Sequence, residues 1–158
     1  KNLNYIILRI PNVYGNQSYN AKTKRGIIPF LIEKIINNED IYLNTDGLRL
    51  RDYLHISDLN EALLAVTSLK NKTHIYNLVS GKSFKLRYIL DLIVKFLKLE
   101  YKFHYKGKIT FNNNKNITKT DNRDFVGSNK NFKYNFNWKV KNTFEKFLRK
   151  EIKRIYEL

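Results

Sequence analysis

The stretch LRLRDYLHISDLNEAL, residues 48–63, decides how this chain is read. On a β-strand, residues two apart share a face. The alternation sets Arg49, Arg51, Tyr53 and His55 on one side and Leu48, Leu50, Leu54 and Ile56 mostly on the other. The apolar side reads as core. The other side carries two guanidinium groups, whose forked donors suit phosphate or carboxylate. Asp58 and Glu61 then stand three apart, the spacing of a capping box with Asp58 as N-cap. Leu59, Ala62, Leu63 and Val66 follow at helical spacing. The unit predicted is an arginine-bearing strand, a tight junction and a short amphipathic helix. A solvated, charged sheet edge is the competing reading of the arginines.

On either side, strands and helices alternate. YIILRI (5–10) reads as a buried strand closed by Pro11 and Gly15, and residues 11–26 as a polar loop. IIPFLIEKIINN (27–38) reads as a helix with Pro29 in its first turn. IYLN (41–44) is a short strand and TDG (45–47) a turn. HIYNLVS (74–80) is a further strand, and Ser83 is placed to cap a helix over 84–98. Residues 101–105 read as a possible strand, 106–123 as an irregular polar stretch, and 129–133 as one helical turn. Asn142 and Glu145 suggest a capped helix over 143–156. The pattern implies an α/β layer architecture with no evident domain boundary.

The chain has 158 residues and a net charge of +16, from 30 Lys plus Arg against 14 Asp plus Glu. Lysine is dispersed along it and outnumbers arginine 22 to 8. An AT-rich coding bias accounts for this more readily than an electrostatic footprint for nucleic acid does. With no cysteine there is no disulfide and no thiolate metal site. Three scattered histidines argue against a metal cluster. No apolar run approaches the roughly 20 residues of a membrane span, and no signal-peptide pattern opens the chain. A cytoplasmic protein is the expectation. There is no methionine, even at position 1, and the chain opens almost at once on an apolar strand. A fragment preceded by further sequence is therefore expected.

No glycine-rich dinucleotide fingerprint, P-loop, nucleophile elbow or H-E-x-x-H occurs. Five segments nevertheless fall in a telling order: LRIPNVYG (8–15), KRGIIPFLI (24–32), IYLNTDGLRLRDYLHISDLNEAL (41–63), IYNLVSGKSFKLRYILDLI (75–93) and FNWKVKNTFEKFLRKEI (136–152). Together they resemble the C-terminal half of the extended short-chain dehydrogenase/reductases, and more narrowly the NAD-dependent nucleotide-sugar epimerases and dehydratases. R-x-x-N-V-Y-G and R-D-Y-x-H-x-x-D are the specific motifs.

The resemblance implies one late strand of a Rossmann-type sheet plus a small mixed α/β substrate-binding domain over 1–158. The N-terminal dinucleotide-binding domain, with its Tyr-x-x-x-Lys pair, would lie upstream and outside this chain. It implies NAD or NADP as cofactor, bound mainly by that other domain, and a nucleotide-diphosphate sugar as ligand. The intact enzyme would be a homodimer with no specific nucleic acid and no membrane among its partners. By position, Ile10 and Pro11 match cofactor-facing residues. Asn12 matches the motif asparagine near nicotinamide and sugar diphosphate. Ile27 and Ile28 open the helix beside the nucleotide, Tyr42 and Asn44 line the base, and Arg51 meets the diphosphate. Arg49 matches a variable polar position, and His55 and Asp58 match a structural strand end and helix cap. The family's late R-P-G-D is replaced by TKTD (118–121), which keeps Asp121 but puts Thr118 at the arginine position and leaves Lys119 or Arg123 as substitute cations. The function implied is that of a substrate-holding half, inactive alone. The alternatives are a basic nucleic-acid-binding module and a degenerate gene remnant.

Overall fold

A computed structural model describes residues 5–15, 26–67, 74–112 and 123–157. In chain order its elements are β1 (Ile6–Arg9), β2 (Asn12–Tyr14), α1 (Ile27–Ile36), β3 (Ile41–Leu43), β4 (Leu50–His55), α2 (Ile56–Val66), β5 (His74–Asn77), β6 (Ser83–Lys85), α3 (Leu86–Tyr101), β7 (Ile109–Phe111), α4 (Lys130–Phe136) and α5 (Phe144–Tyr156). The α/β class is as expected. The chain divides into two compact units and, among the described residues, passes between them inside β4, after Ser83, after Asp124 and after Phe144.

The first unit comprises described residues of 5–15, 51–83 and 125–144. β1 pairs in parallel with β5, Ile7 opposite Ile75, and β2 pairs in parallel with β4, Asn12 opposite Tyr53. Its core gathers Leu54, Ala62, Tyr76, Leu78, Phe132 and Trp138. β1 is not the fully buried strand its apolar run suggests: Ile6 and Leu8 pack on the core, whereas Ile7 is 44% and Ile75 50% exposed. β2 escapes a reading by pattern because three residues between a proline and a glycine look like a turn. Only its distant partner β4 makes it a strand. Gly15 ends it with φ +112°, a conformation that side chains with a Cβ rarely adopt. A Cβ there would also stand 2.6 Å from His55 Nε2. Gly15→Ala is expected to cost about 2–3 kcal/mol, read as a lower urea midpoint by circular dichroism.

The second unit holds described residues of 26–50, 84–124 and 145–157. Here α1 packs on α3 through faces spaced as in a helix: Ile28, Leu31, Ile32 and Ile35 on one, Ile89, Leu90, Ile93, Phe96 and Leu97 on the other. Pro29 sits in the first turn, where its lacking N–H costs no helical bond. Ser83 does not cap α3. It belongs to β6, its hydroxyl donates to Phe125 O at 3.1 Å, and Lys85 takes the N-cap position. The expected strand at 101–105 is displaced. Lys102 adopts a left-handed helix-ending conformation, and the strand is β7, paired in parallel with β3.

Candidate functional site

In the first unit, the strand register decides what Arg51 faces. Registered residues of paired strands present to the same side, so Asn12 and Tyr14 of β2 share a face with Arg51, Tyr53 and His55 of β4. Arg51 lies one pleat repeat from Tyr53, the partner of Asn12. Strand geometry therefore sets the Arg51 and Asn12 Cα atoms roughly 8 Å apart. Asn12 is exposed and Arg51 half-buried. Farther along, the face closes: the Tyr14 ring meets His55 edge-on at 5.2 Å, and Phe144 lies 5.4 Å from Tyr14 and 5.2 Å from Tyr53. Burial raises the Tyr53 hydroxyl above its usual pKa, while Arg51 pulls it down. Burial likewise pushes Tyr14 up, helped by Asp58 and Asp52. Both phenols therefore stay neutral. The expected polar strand face is thus an aromatic wall with Asn12 and Arg51 at its open end.

The other face of β4 carries Asp52 and Leu54, both buried. Asp52 accepts the N–H of Ser80 at 2.8 Å and of Gly81 at 2.9 Å, fixing the turn after β5. Burial raises its carboxyl above 3.8, and these hydrogen bonds offset part of the rise. The folded state therefore binds the proton more tightly than the unfolded chain does. Stability is expected to fall as pH rises from about 3.8 through the raised value, and Asp52→Asn is expected to flatten that slope in urea titrations run across the window.

At the end of β4 the cap is His55, not Asp58. His55 Nδ1 accepts the Ser57 N–H at 3.1 Å. Asp58 sits inside the first turn, fully buried, and holds a distant segment instead. Its carboxylate accepts Lys141 N at 3.1 Å, Asn142 N at 3.2 Å and Asn142 Nδ2 at 2.9 Å, while its backbone carbonyl accepts Trp138 Nε1 at 3.1 Å. The Asn142 amide is thereby engaged with Asp58. Glu61, the other half of the expected capping box, pairs with Lys141 Nζ at 2.8 Å.

Ile10 and Pro11 follow β1. Ile10 is 48% exposed and Pro11 half-buried, leaving an open apolar surface beyond the carboxyl end of a parallel strand.

In the second unit, Ile28 is buried in the α1 core, so its side chain is withdrawn from the surface. Ile27 is partly exposed. Tyr42 and Asn44 share an exposed side while Ile41 and Leu43 point inward, and the Tyr42 hydroxyl donates to Asp40 Oδ2 at 3.3 Å. Arg49 lies in the bend before β4 and pairs with Asp46 Oδ2 at 3.4 Å, so it is a turn residue rather than a strand residue. Sequence reasoning missed two groups here. Arg87 donates to Asp46 O at 2.7 Å and lies 3.8 Å over the Phe111 ring. Asp124 accepts the Leu50 N–H at 2.8 Å. Neither has a local sequence signal, because each joins residues more than 20 apart. Thr118, Lys119 and Asp121 lie outside the described residues.

The model of the "NAD dependent epimerase/dehydratase family" matches residues 1–78, which contain both specific motifs. The chain is 33% identical over 106 residues to dTDP-4-dehydro-6-deoxyglucose reductase of Escherichia coli, a match covering 67% of this chain and 31% of that protein. It is 32% identical over 103 residues to CDP-abequose synthase of Salmonella muenchen, covering 64% of this chain and 33% of that protein. In fold it is similar to UDP-glucose 4-epimerase of Thermotoga maritima, solved with UDP-glucose: the TM-score is 0.76 at 22% identity, over 98% of this chain and 46% of that one. The chain thus matches about a third of these curated relatives and spans just under half of the solved epimerase. With R-x-x-N-V-Y-G on β1 and β2 and R-D-Y-x-H-x-x-D on β4 and α2, both inside residues 1–78, this part of the chain belongs to the NAD-dependent epimerase/dehydratase family.

Proposed function

We propose that this chain is the substrate-holding portion of a nucleotide-sugar epimerase or dehydratase. The observation that carries the reading is the β2–β4 register, which brings Asn12 and Arg51 onto one face at the open end of an aromatic wall. Arg51 donates a charge-assisted fork to the diphosphate. Asn12 donates its amide to the same group and orients the sugar. By the family resemblance Tyr42 and Asn44 line the base, and the α1 start, at Ile27 and Ile28, offers backbone donors to an anion. Asp121 takes the ribose hydroxyls. Ile10 and Pro11 bear on the nicotinamide of NAD or NADP. When bound, that cofactor supplies a hydride acceptor. Held in place, the sugar gains rate by orientation alone.

The catalytic tyrosine and lysine, and most of the dinucleotide site, belong on a domain outside this sequence. The complete enzyme is a cytoplasmic homodimer, and this chain alone has no turnover. Among the described residues no helix is long and apolar enough to cross a membrane.

Arg51→Ala is expected to weaken UDP-glucose binding about 10–100-fold, the loss of one or two charge-assisted hydrogen bonds. Arg51→Lys recovers only part, since an ammonium lacks the fork. Calorimetric titration measures both. Equal affinity of wild type and Arg51→Ala would remove Arg51 from the site. Product formed from UDP-glucose by the purified chain with NAD would remove the claim of inactivity. Tighter, steeply salt-dependent binding of random single-stranded DNA would favour a nucleic-acid module.

A further inference from the structure

The second unit carries a groove of about 660 Å³ that includes none of the residues assigned to a ligand above. One wall is the exposed side of α3, with Val94, Lys95, Lys98 and Leu99. The other is the extended segment with Tyr105 and Ile109. That segment is held firmly. The Tyr105 hydroxyl donates to Glu39 O at 2.8 Å, Lys106 N to Asn38 Oδ1 at 2.9 Å, and Lys108 N to Asp40 Oδ1 at 2.8 Å. The lining is mainly apolar, and Leu99 is 64% exposed, a large apolar side chain left in water. Lys95 and Lys98 lie three residues apart on one helix face. Among the described residues neither ammonium has a hydrogen-bond or ion-pair partner. Asp91 marks the opposite end of the rim, two helical turns before Lys98.

We propose that this groove docks an acidic, leucine-bearing segment of a partner protein. Leucine side chains would fill the floor between Val94, Leu99 and Ile109, and carboxylates of the same segment would meet Lys95 and Lys98. Charge complementarity selects the sign of the partner. Exposure selects its class: a small-molecule site buries most of its ligand, whereas Leu99 in this wall is left 64% exposed. A peptide can leave its other face in water. Asp91 adds a direction, disfavouring carboxylates at its end and favouring a cationic or neutral residue there. This inference does not depend on the nucleotide-sugar reading.

The test is fluorescence anisotropy of the 158-residue chain with a labelled hexapeptide, Glu-Glu-Leu-Leu-Glu-Glu. Its comparison peptides replace leucine by serine or glutamate by lysine. Saturable binding of the first peptide is expected, with loss of at least about tenfold in affinity for either comparison peptide. Lys95→Glu with Lys98→Glu, and separately Leu99→Ser, are expected to weaken it by a similar factor. Lys130→Glu with Lys133→Glu changes the net charge equally on the other unit and is expected to leave binding within about twofold. No saturable binding, or equal weakening by the two double variants, overturns the proposal. Displacement of the peptide by decanoate at equal concentration would assign the groove to a small amphiphilic anion and also overturn it.

Discussion

Asp58→Ala is expected to destabilise the chain by about 4 kcal/mol, enough to unfold a marginal domain. The carboxylate is fully buried and collects three donors from residues more than 80 positions away, Lys141 and Asn142. Truncation leaves those donors without their acceptor, at about 1–3 kcal/mol each before water returns to the part-buried ones. It also removes a negative charge from the first turn of α2, where the helix dipole favours one. Asp58→Asn keeps one acceptor oxygen but turns an NH2 toward a donor, so it should lose about half as much. Trp138 is the chain's one tryptophan, and its indole N–H donates to the Asp58 carbonyl. Its fluorescence in a urea titration therefore reports this anchor directly. A loss below about 1 kcal/mol would show that the 138–142 segment is held by packing alone.

Phe132→Ala is expected to cost a similar amount, about 3–5 kcal/mol. Phe132 is fully buried and central to an aromatic cluster, 4.4 Å from the Phe136 ring, 5.4 Å from Trp138 and 5.5 Å from Tyr76. Alanine opens a cavity that α4, only seven residues long, has to collapse into. Phe132→Leu fills most of that volume and should cost under about 2 kcal/mol. The contrast separates cavity from chemistry. Equal losses for Ala and Leu would mean that ring geometry, not volume, holds the cluster.

Periodic signals carried most of the helices and the strands that flank turns. α1 and α3 were legible because their apolar residues recur at helical spacing, and β4 because alternation and motif coincide. What failed depended on distant partners. β2 is three residues that only β4 makes a strand, and β7 is a strand only because β3 lies beside it. The Asp58 cap was a reasonable reading of DLNE, but the buried carboxylate is claimed by Lys141 and Asn142, and His55 caps the helix instead. Burial of Tyr53 could not be inferred, since alternation gives a face and not its cover; that cover is Phe144. For the site, Asn12 and Arg51 stood out as motif residues. Their shared face follows only from the register.

The most direct measurement is saturation-transfer NMR of UDP-glucose against the purified 158-residue chain. The expected result is saturation of the uridine and ribose protons, competed by UDP but not by glucose, and lost in Arg51→Ala. A folded chain that transfers no saturation to the nucleotide would contradict the claim that this portion holds the nucleotide diphosphate.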